Sequence, residues 1–167
     1  MAVTSFQNVV NRYPAVGVAG DKVDLNPTVY TAGNPLADGP VTVGTFVWAT
    51  ENGASNTSST AQQPLGIVER VQCYYNYNVL EGATLVVGDA SPLSVICKGD
   101  VYVTTLTAAT RGQKVFAVLA DGTIKTGTAG GSIDQAMETD WYVVSSGAAN
   151  SLIIISNWEP RVAAISS

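Results

Sequence analysis

The 167 residues suffice for one domain that buries roughly 68–70% of its unfolded surface, so neither disulfides nor metals are needed to hold it. Charged residues make up 13% of the chain, and 8 basic against 13 acidic residues give a net charge of −5; a binder led by phosphate attraction needs a concentrated basic surface, which excludes nucleic acid as a partner. There is no histidine, which removes Ser-His-Asp and Cys-His catalysis, His-containing zinc sites and the usual neutral-pH general base.

The composition points to an all-β protein. There are 23 Val, 17 Thr and 8 Ile against 9 Leu, 5 Glu and 4 Lys, an excess of β-branched residues over those that fill helix surfaces. The first seven residues lack a basic cluster and apolar core of the secretory kind, so synthesis in a cytoplasm is expected. Residues 1–40 hold four of the seven prolines, Pro14, Pro27, Pro35 and Pro40, with glycines between them. That spacing predicts an irregular arm or a run of edge strands.

From Val41 the pattern changes. Residues 41–49 are apolar on both alternating faces, as in a strand with neighbours on each side, and Asn52-Gly53 closes the run. Residues 52–63 have no charge and no large apolar side chain, which predicts an exposed loop between strands. Strands are then expected at 65–73, 79–87, 93–97, 101–106, 115–119, 124–126, 141–144 and 152–155. Gly-, Asn- and Asp-containing turns separate them, among them Lys98-Gly99-Asp100 and Asp121-Gly122. The best hairpin signal is residues 114–125, where Asp121-Gly122 follows an apolar run. Residues 132–140 alone look helical, with Ser132 as N-cap and Gln135 completing a capping box, for one turn at most. Residues 152–155, apolar at four consecutive positions, predict a central strand or a subunit seam. Short strands at this spacing predict a sandwich or barrel. The charge-free stretch 141–158 is interrupted by Ser, Gly and Asn, and reads as two strands around a turn rather than a membrane span.

Few constellations carry chemistry. Asp134, Glu138 and Asp140 form the densest acidic cluster, but they lack the pattern of a calcium loop and read as a solvated turn. Lys98 and Lys114 lie in no Ser-x-x-Lys arrangement. Gly127-Thr128-Ala129-Gly130-Gly131 has its lysine before the glycines, so it is a hairpin end and not a phosphate loop. Cys73 and Cys97 read as small reduced, buried thiols. No cofactor, metal or catalytic residue is expected. Tyr74, Tyr75 and Tyr77 alternate with Asn76 and Asn78, as packing or interface aromatics. Trp48 and Trp141 read as core anchors, and Trp158, beside Glu159-Pro160, as the most exposed tryptophan.

Several pieces together resemble a known family. They are Phe6-Gln7-Asn8-Val9-Val10-Asn11 with Pro14-Ala15-Val16-Gly17-Val18-Ala19-Gly20-Asp21 and Asn26-Pro27; residues 41–49; Gly66-Ile67-Val68-Glu69-Arg70; residues 107–122; and residues 138–149. In order and spacing they resemble the tailed-phage structural cement, or head decoration, proteins over most of residues 5–156. The resemblance implies a non-enzymatic, jelly-roll-like β-sandwich or barrel at residues 41–156, with an extended N-terminal arm at 1–40. Residues 157–167 form a C-terminal extension with no match.

It further implies a protein on the outer surface of the virion head that bridges neighbouring major capsid subunits and stabilises the DNA-filled capsid. Partners would be the major capsid protein and further copies of itself, as homodimer or homotrimer, with no membrane. Interface candidates are Phe6, Val9, Val10, Tyr13 and Pro14 in the arm, with Tyr74, Tyr75, Tyr77 and Trp158. A carbohydrate-binding β-sandwich module is the alternative, and it would need a planar row of aromatics on one sheet face.

Overall fold

The computed structural model describes residues 16–23, 26–71 and 85–158. Every regular element among them is a strand: β1 (Val29–Tyr30), β2 (Val41–Thr42), β3 (Phe46–Ala49), β4 (Ala54–Ser55), β5 (Gly66–Val68), β6 (Val86–Val87), β7 (Val95–Lys98), β8 (Asp100–Thr104), β9 (Lys114–Val118), β10 (Ile124–Gly127), β11 (Ala136–Val143) and β12 (Leu152–Ser156). They form one sheet in the order β1-β7-β5-β3-β4, a second in the order β10-β9-β11-β12-β8, and a two-stranded ladder of β2 and β6.

Side-chain alternation decides how these pieces stack. Phe46, Trp48, Ile67 and Ile96 of the first sheet meet Val101, Val115, Trp141, Val143, Ile153 and Ile155 of the second in one buried cluster. The Phe46 and Trp141 rings cross it edge to face, 6.4 Å apart. This is a β-sandwich. The other face of the first sheet is also covered, because Val47, Val68 and Val95 pack with Val41, Val43, Val87 and Leu93. The first sheet is therefore a middle layer, which is the physical reason residues 41–49 are apolar on both faces.

The second sheet curls without closing into a barrel. β8 and β10, its outermost strands, approach at one isolated bridge between Thr105 and Ile124. Beyond it the ladder gives way to threonines: the Thr107 and Thr126 hydroxyls lie 3.0 Å apart, and Thr126 Oγ1 donates to the Ala108 carbonyl at 3.0 Å. Thr105 and Thr126 are buried, and Thr105 Oγ1 donates to the Thr107 carbonyl at 2.9 Å, so both buried hydroxyls are satisfied where they would otherwise be costly.

Several expectations are corrected. Residues 41–49 are two strands, because the chain turns at Gly44, whose φ is +76°, and the Thr45 hydroxyl closes that turn on the Thr42 carbonyl. Residues 52–63 are not all loop: β4 lies inside them, and Ala54 and Asn56 are buried. Asn56 acts as a backbone substitute, accepting from Thr42 N at 2.6 Å and donating to the Phe46 carbonyl at 2.8 Å.

No helical turn forms in 132–140. Gln135 takes a φ of +56°, Ile133 and Ala136 close a bridge, and β11 begins at once. Ala136, Met137 and Glu138 pair directly with Val118, Ala117 and Phe116 of β9, and that pairing outweighs the weak cap signal. Lys98-Gly99-Asp100 does not reverse the chain: β7 and β8 belong to different sheets, so the chain bends through Gly99 from one layer into the other. Residues 114–125 form the expected hairpin, Ile124 opposite Ala117. β12 is central, paired to β11 on one side and β8 on the other.

Candidate interaction surface

Residues 20–23 run along the outer side of β8, with Gly20 N donating to Tyr102 O at 2.8 Å, Tyr102 N to Asp21 O at 2.9 Å and Val23 N to Asp100 O at 3.1 Å. The chain then follows the bend into the first sheet, where β1 pairs with β7. One segment thus borders both layers. Leu36, Ala37 and Asp38 similarly cover β4, through Ala54 N donating to Leu36 O and Asp38 N to Ala54 O. Sheet edges invite foreign strands, and here the chain's own irregular segments occupy them.

Polar side chains fasten this border. Lys22 Nζ lies 3.1 Å from Glu69 Oε1 and donates to Tyr30 Oη at 3.1 Å, while Ser94 donates to the other Glu69 oxygen at 2.7 Å. The hydrogen bonds to Tyr30 and Glu69 raise the Lys22 pKa above the ordinary lysine value. Arg70 Nη1 meets Asp21 Oδ1 at 3.3 Å. Sequence reading missed this clasp, because its members are far apart in the chain.

The same segment carries exposed apolar surface. Val16 is 82% exposed, Val29 48% and Leu36 46%, and Tyr30 also faces solvent. From Asn26 to Ala37 there is no charged residue, so this stretch of the border, β1 included, lacks the charges that usually blunt an edge. The uncharged Val29-Tyr30 pair was the available signal in sequence.

The expected site residues are placed unevenly. Phe6, Val9, Val10, Tyr13 and Pro14 lie outside the described residues, as do Tyr74, Tyr75, Tyr77 and Cys73. Trp158 is half-buried beside β7, with Lys98 Nζ 4.3 Å from its ring centroid. Its indole N–H is shielded and finds no hydrogen-bond partner among the described residues. Trp48 and Trp141 are in the core, and Trp48 Nε1 donates to the Gln62 carbonyl at 2.8 Å.

The residues considered for chemistry have structural partners. Glu138 Oε2 accepts from Gly130 N at 2.7 Å, and Lys114 Nζ donates to the Thr139 carbonyl at 3.3 Å. Cys97 is half-buried, and burial pushes its thiol pKa up, away from reactive thiolate. Among the described residues no three acids or thiols gather as metal ligands would.

Comparison with known proteins agrees with the architecture. A family model described as "XM1 gp53 minor capsid protein" matches residues 6–157. Among solved structures, the chain is similar to a chain of "The capsid of Myoviridae Phage XM1", with a TM-score of 0.69 and 18% identity over 93% of this chain and 98% of that one. At that identity the likeness shows a shared fold. No curated protein matches the sequence.

Proposed function

The chain belongs to the XM1 gp53 minor capsid protein family and is a structural component of a phage head, and from that premise we propose that it acts as a non-enzymatic cement. In this reading it is made in the host cytoplasm, adds to the outer surface of the assembled head and bridges neighbouring major capsid subunits. The observation that carries the reading is the exposed apolar surface of the border, with Val29, Tyr30 and Leu36 in its charge-free stretch 26–37 and Val16 ahead of it, on a sandwich clasped by Lys22 and Glu69. Apolar residues fixed on a rigid scaffold lose little conformational freedom on docking, which favours a stable contact.

A protein that binds only the assembled lattice stabilises it by linkage, and many copies over shared joints multiply the effect. Phe6, Val9, Val10, Tyr13 and Pro14, which precede this border in the sequence, are proposed to contribute to the contact, together with Tyr74, Tyr75, Tyr77 and Trp158. A homodimer or a homotrimer would suit the two-fold and three-fold positions of a head.

The test is co-sedimentation with empty expanded heads of the cognate phage, scored by copies bound and by the temperature at which the heads break. Saturable binding at a fixed ratio to capsid subunits with a raised breakage temperature is the expected result. No binding to any head form would overturn the cement reading.

A further inference from the structure

The two sheets differ in how their outward faces are covered. The inner strands of the first, β3, β5 and β7, are covered on both sides, whereas the second has an outward face made of alternate strand residues: Tyr102 on β8, Leu152 and Ile154 on β12 and Tyr142 on β11. Val101, Val103, Ile153 and Val143 point the other way into the core. Ile154 stands opposite Tyr102 in the β12–β8 ladder. The result is an apolar stripe across three adjacent strands, each member half-buried.

The chain enters the described structure at this stripe. Gly17 lies flat on the Tyr102 ring, so close that a Cβ there would stand 2.7 Å from Cδ2. Fifteen residues precede Val16. Extended at roughly 3.3 Å per residue they would reach about 50 Å, whereas three neighbouring strands span only about 10 Å. The preceding residues are therefore long enough to span the stripe of their own molecule.

We propose that the outward face of the second sheet seats residues 6–13 of the same chain, Phe6 and Val10 against the stripe and Val9 and Tyr13 turned outward as the surface offered to the capsid. Period-2 alternation puts Phe6, Asn8, Val10 and Arg12 on one side of an extended segment and Gln7, Val9, Asn11 and Tyr13 on the other. Each side carries two apolar residues, Phe6 and Val10 on one and Val9 and Tyr13 on the other, so each offers an apolar contact. Charge decides which side faces the sheet. Arg12 is the only charged residue before Asp21, and on the outward face of β11 Asp140 is exposed, while Glu138 there already accepts from Gly130 N and Lys114 already donates to the Thr139 carbonyl.

Only the role of the outward side rests on the cement reading, so the docking is tested on the free protein. Side-chain oxidative footprinting compares the full chain with a variant lacking residues 2–14. Labelling of Ile154 is expected to rise roughly twofold, as for a residue passing from half-buried to exposed, and to be the same on dilution. Trp141 should stay protected, which reports that the fold is intact. Because Gly17 stays on the Tyr102 ring in this variant, Ile154 decides: unchanged labelling there would overturn the proposal, and concentration-dependent protection in the full chain would overturn it in favour of a second copy's arm.

Paired substitutions test the facing. Phe6→Asp with Val10→Asp should reproduce the deletion, whereas Val9→Asp with Tyr13→Asp should leave Ile154 protected and lower occupancy on heads. Equal footprints from the two pairs would overturn the assignment of sides. Failure of all variants and of the full chain to bind heads, with the footprints as expected, would remove the cement reading and leave the docking in place.

Discussion

Gly122, in the turn between β9 and β10, lies flat against the backbone of Phe46 in β3. Phe46 N donates to Gly122 O at 2.8 Å, and a Cβ on Gly122 would run into the Phe46 carbonyl. This contact joins a turn of the second sheet to a strand of the first, so the two layers are locked by backbone as well as by side chains. Gly122 also holds a φ of +69°, which L residues adopt at a cost. Gly122→Ala is expected to destabilise by about 2–4 kcal/mol, from backbone strain plus the collision. Chemical denaturation, read as a lower midpoint with an unchanged slope, checks it.

Asn56 provides a second prediction, because its side chain completes the backbone bonding of β2 and β3. Asn56→Ala leaves Thr42 N and the Phe46 carbonyl without that partner and should cost about 2–4 kcal/mol. Asn56→Asp keeps the acceptor but turns a carboxylate oxygen toward the Phe46 carbonyl. Burial and that neighbouring acceptor would raise the new carboxyl's pKa in the fold. The variant should be least stable at neutral pH and recover as the pH falls through the raised value, when the protonated oxygen donates again. Thermal unfolding between neutral and acid pH reads the sign.

The Lys22 clasp predicts an alkaline effect. Its pKa is raised in the folded state by hydrogen bonds to Tyr30 and Glu69, so the folded protein holds this proton more tightly than the unfolded chain. The contribution is fully present below the ordinary lysine value near 10.5 and is lost as the pH rises through the folded value. Because the side chain is 44% exposed, solvent screening keeps the effect to about 0.5 kcal/mol or less. The difference in unfolding midpoint between the protein and Lys22→Met should shrink through that window, and a difference that grows with pH would contradict it.

Hydrogen exchange tests the placing of β12. Paired on both sides and buried at Ile153 and Ile155, its amides should be among the slowest in the isolated protein, at any concentration. A subunit seam would instead protect them only on assembly.

Some of this was legible in the order of residues alone. The β-branched excess fixed an all-β fold, the Asp121-Gly122 signal located a hairpin, and four consecutive apolar residues at 152–155 located a strand with neighbours on both sides. These are local properties: turn chemistry and side-chain alternation act within a few residues, and the pattern of faces survives into any tertiary arrangement. The lack of histidine likewise narrowed function without reference to shape.

What the tertiary structure decided was partnership. Residues 41–49 announced two buried faces, but only the packing of Val47 against one layer and Phe46 against the other shows that the strand sits in the middle of three. Asn56 reads as loop composition until Thr42 and Phe46 are brought beside it, and Ser132 and Gln135 read as a helix cap until β9 offers β11 a ladder. The bend at Gly99 and the Lys22–Tyr30–Glu69 clasp depend on residues up to tens of positions apart. Alternation tells which side of a strand is apolar, but the same alternation fits many neighbours. The choice among them is made by closing long loops around one complementary core, which no short window of sequence contains.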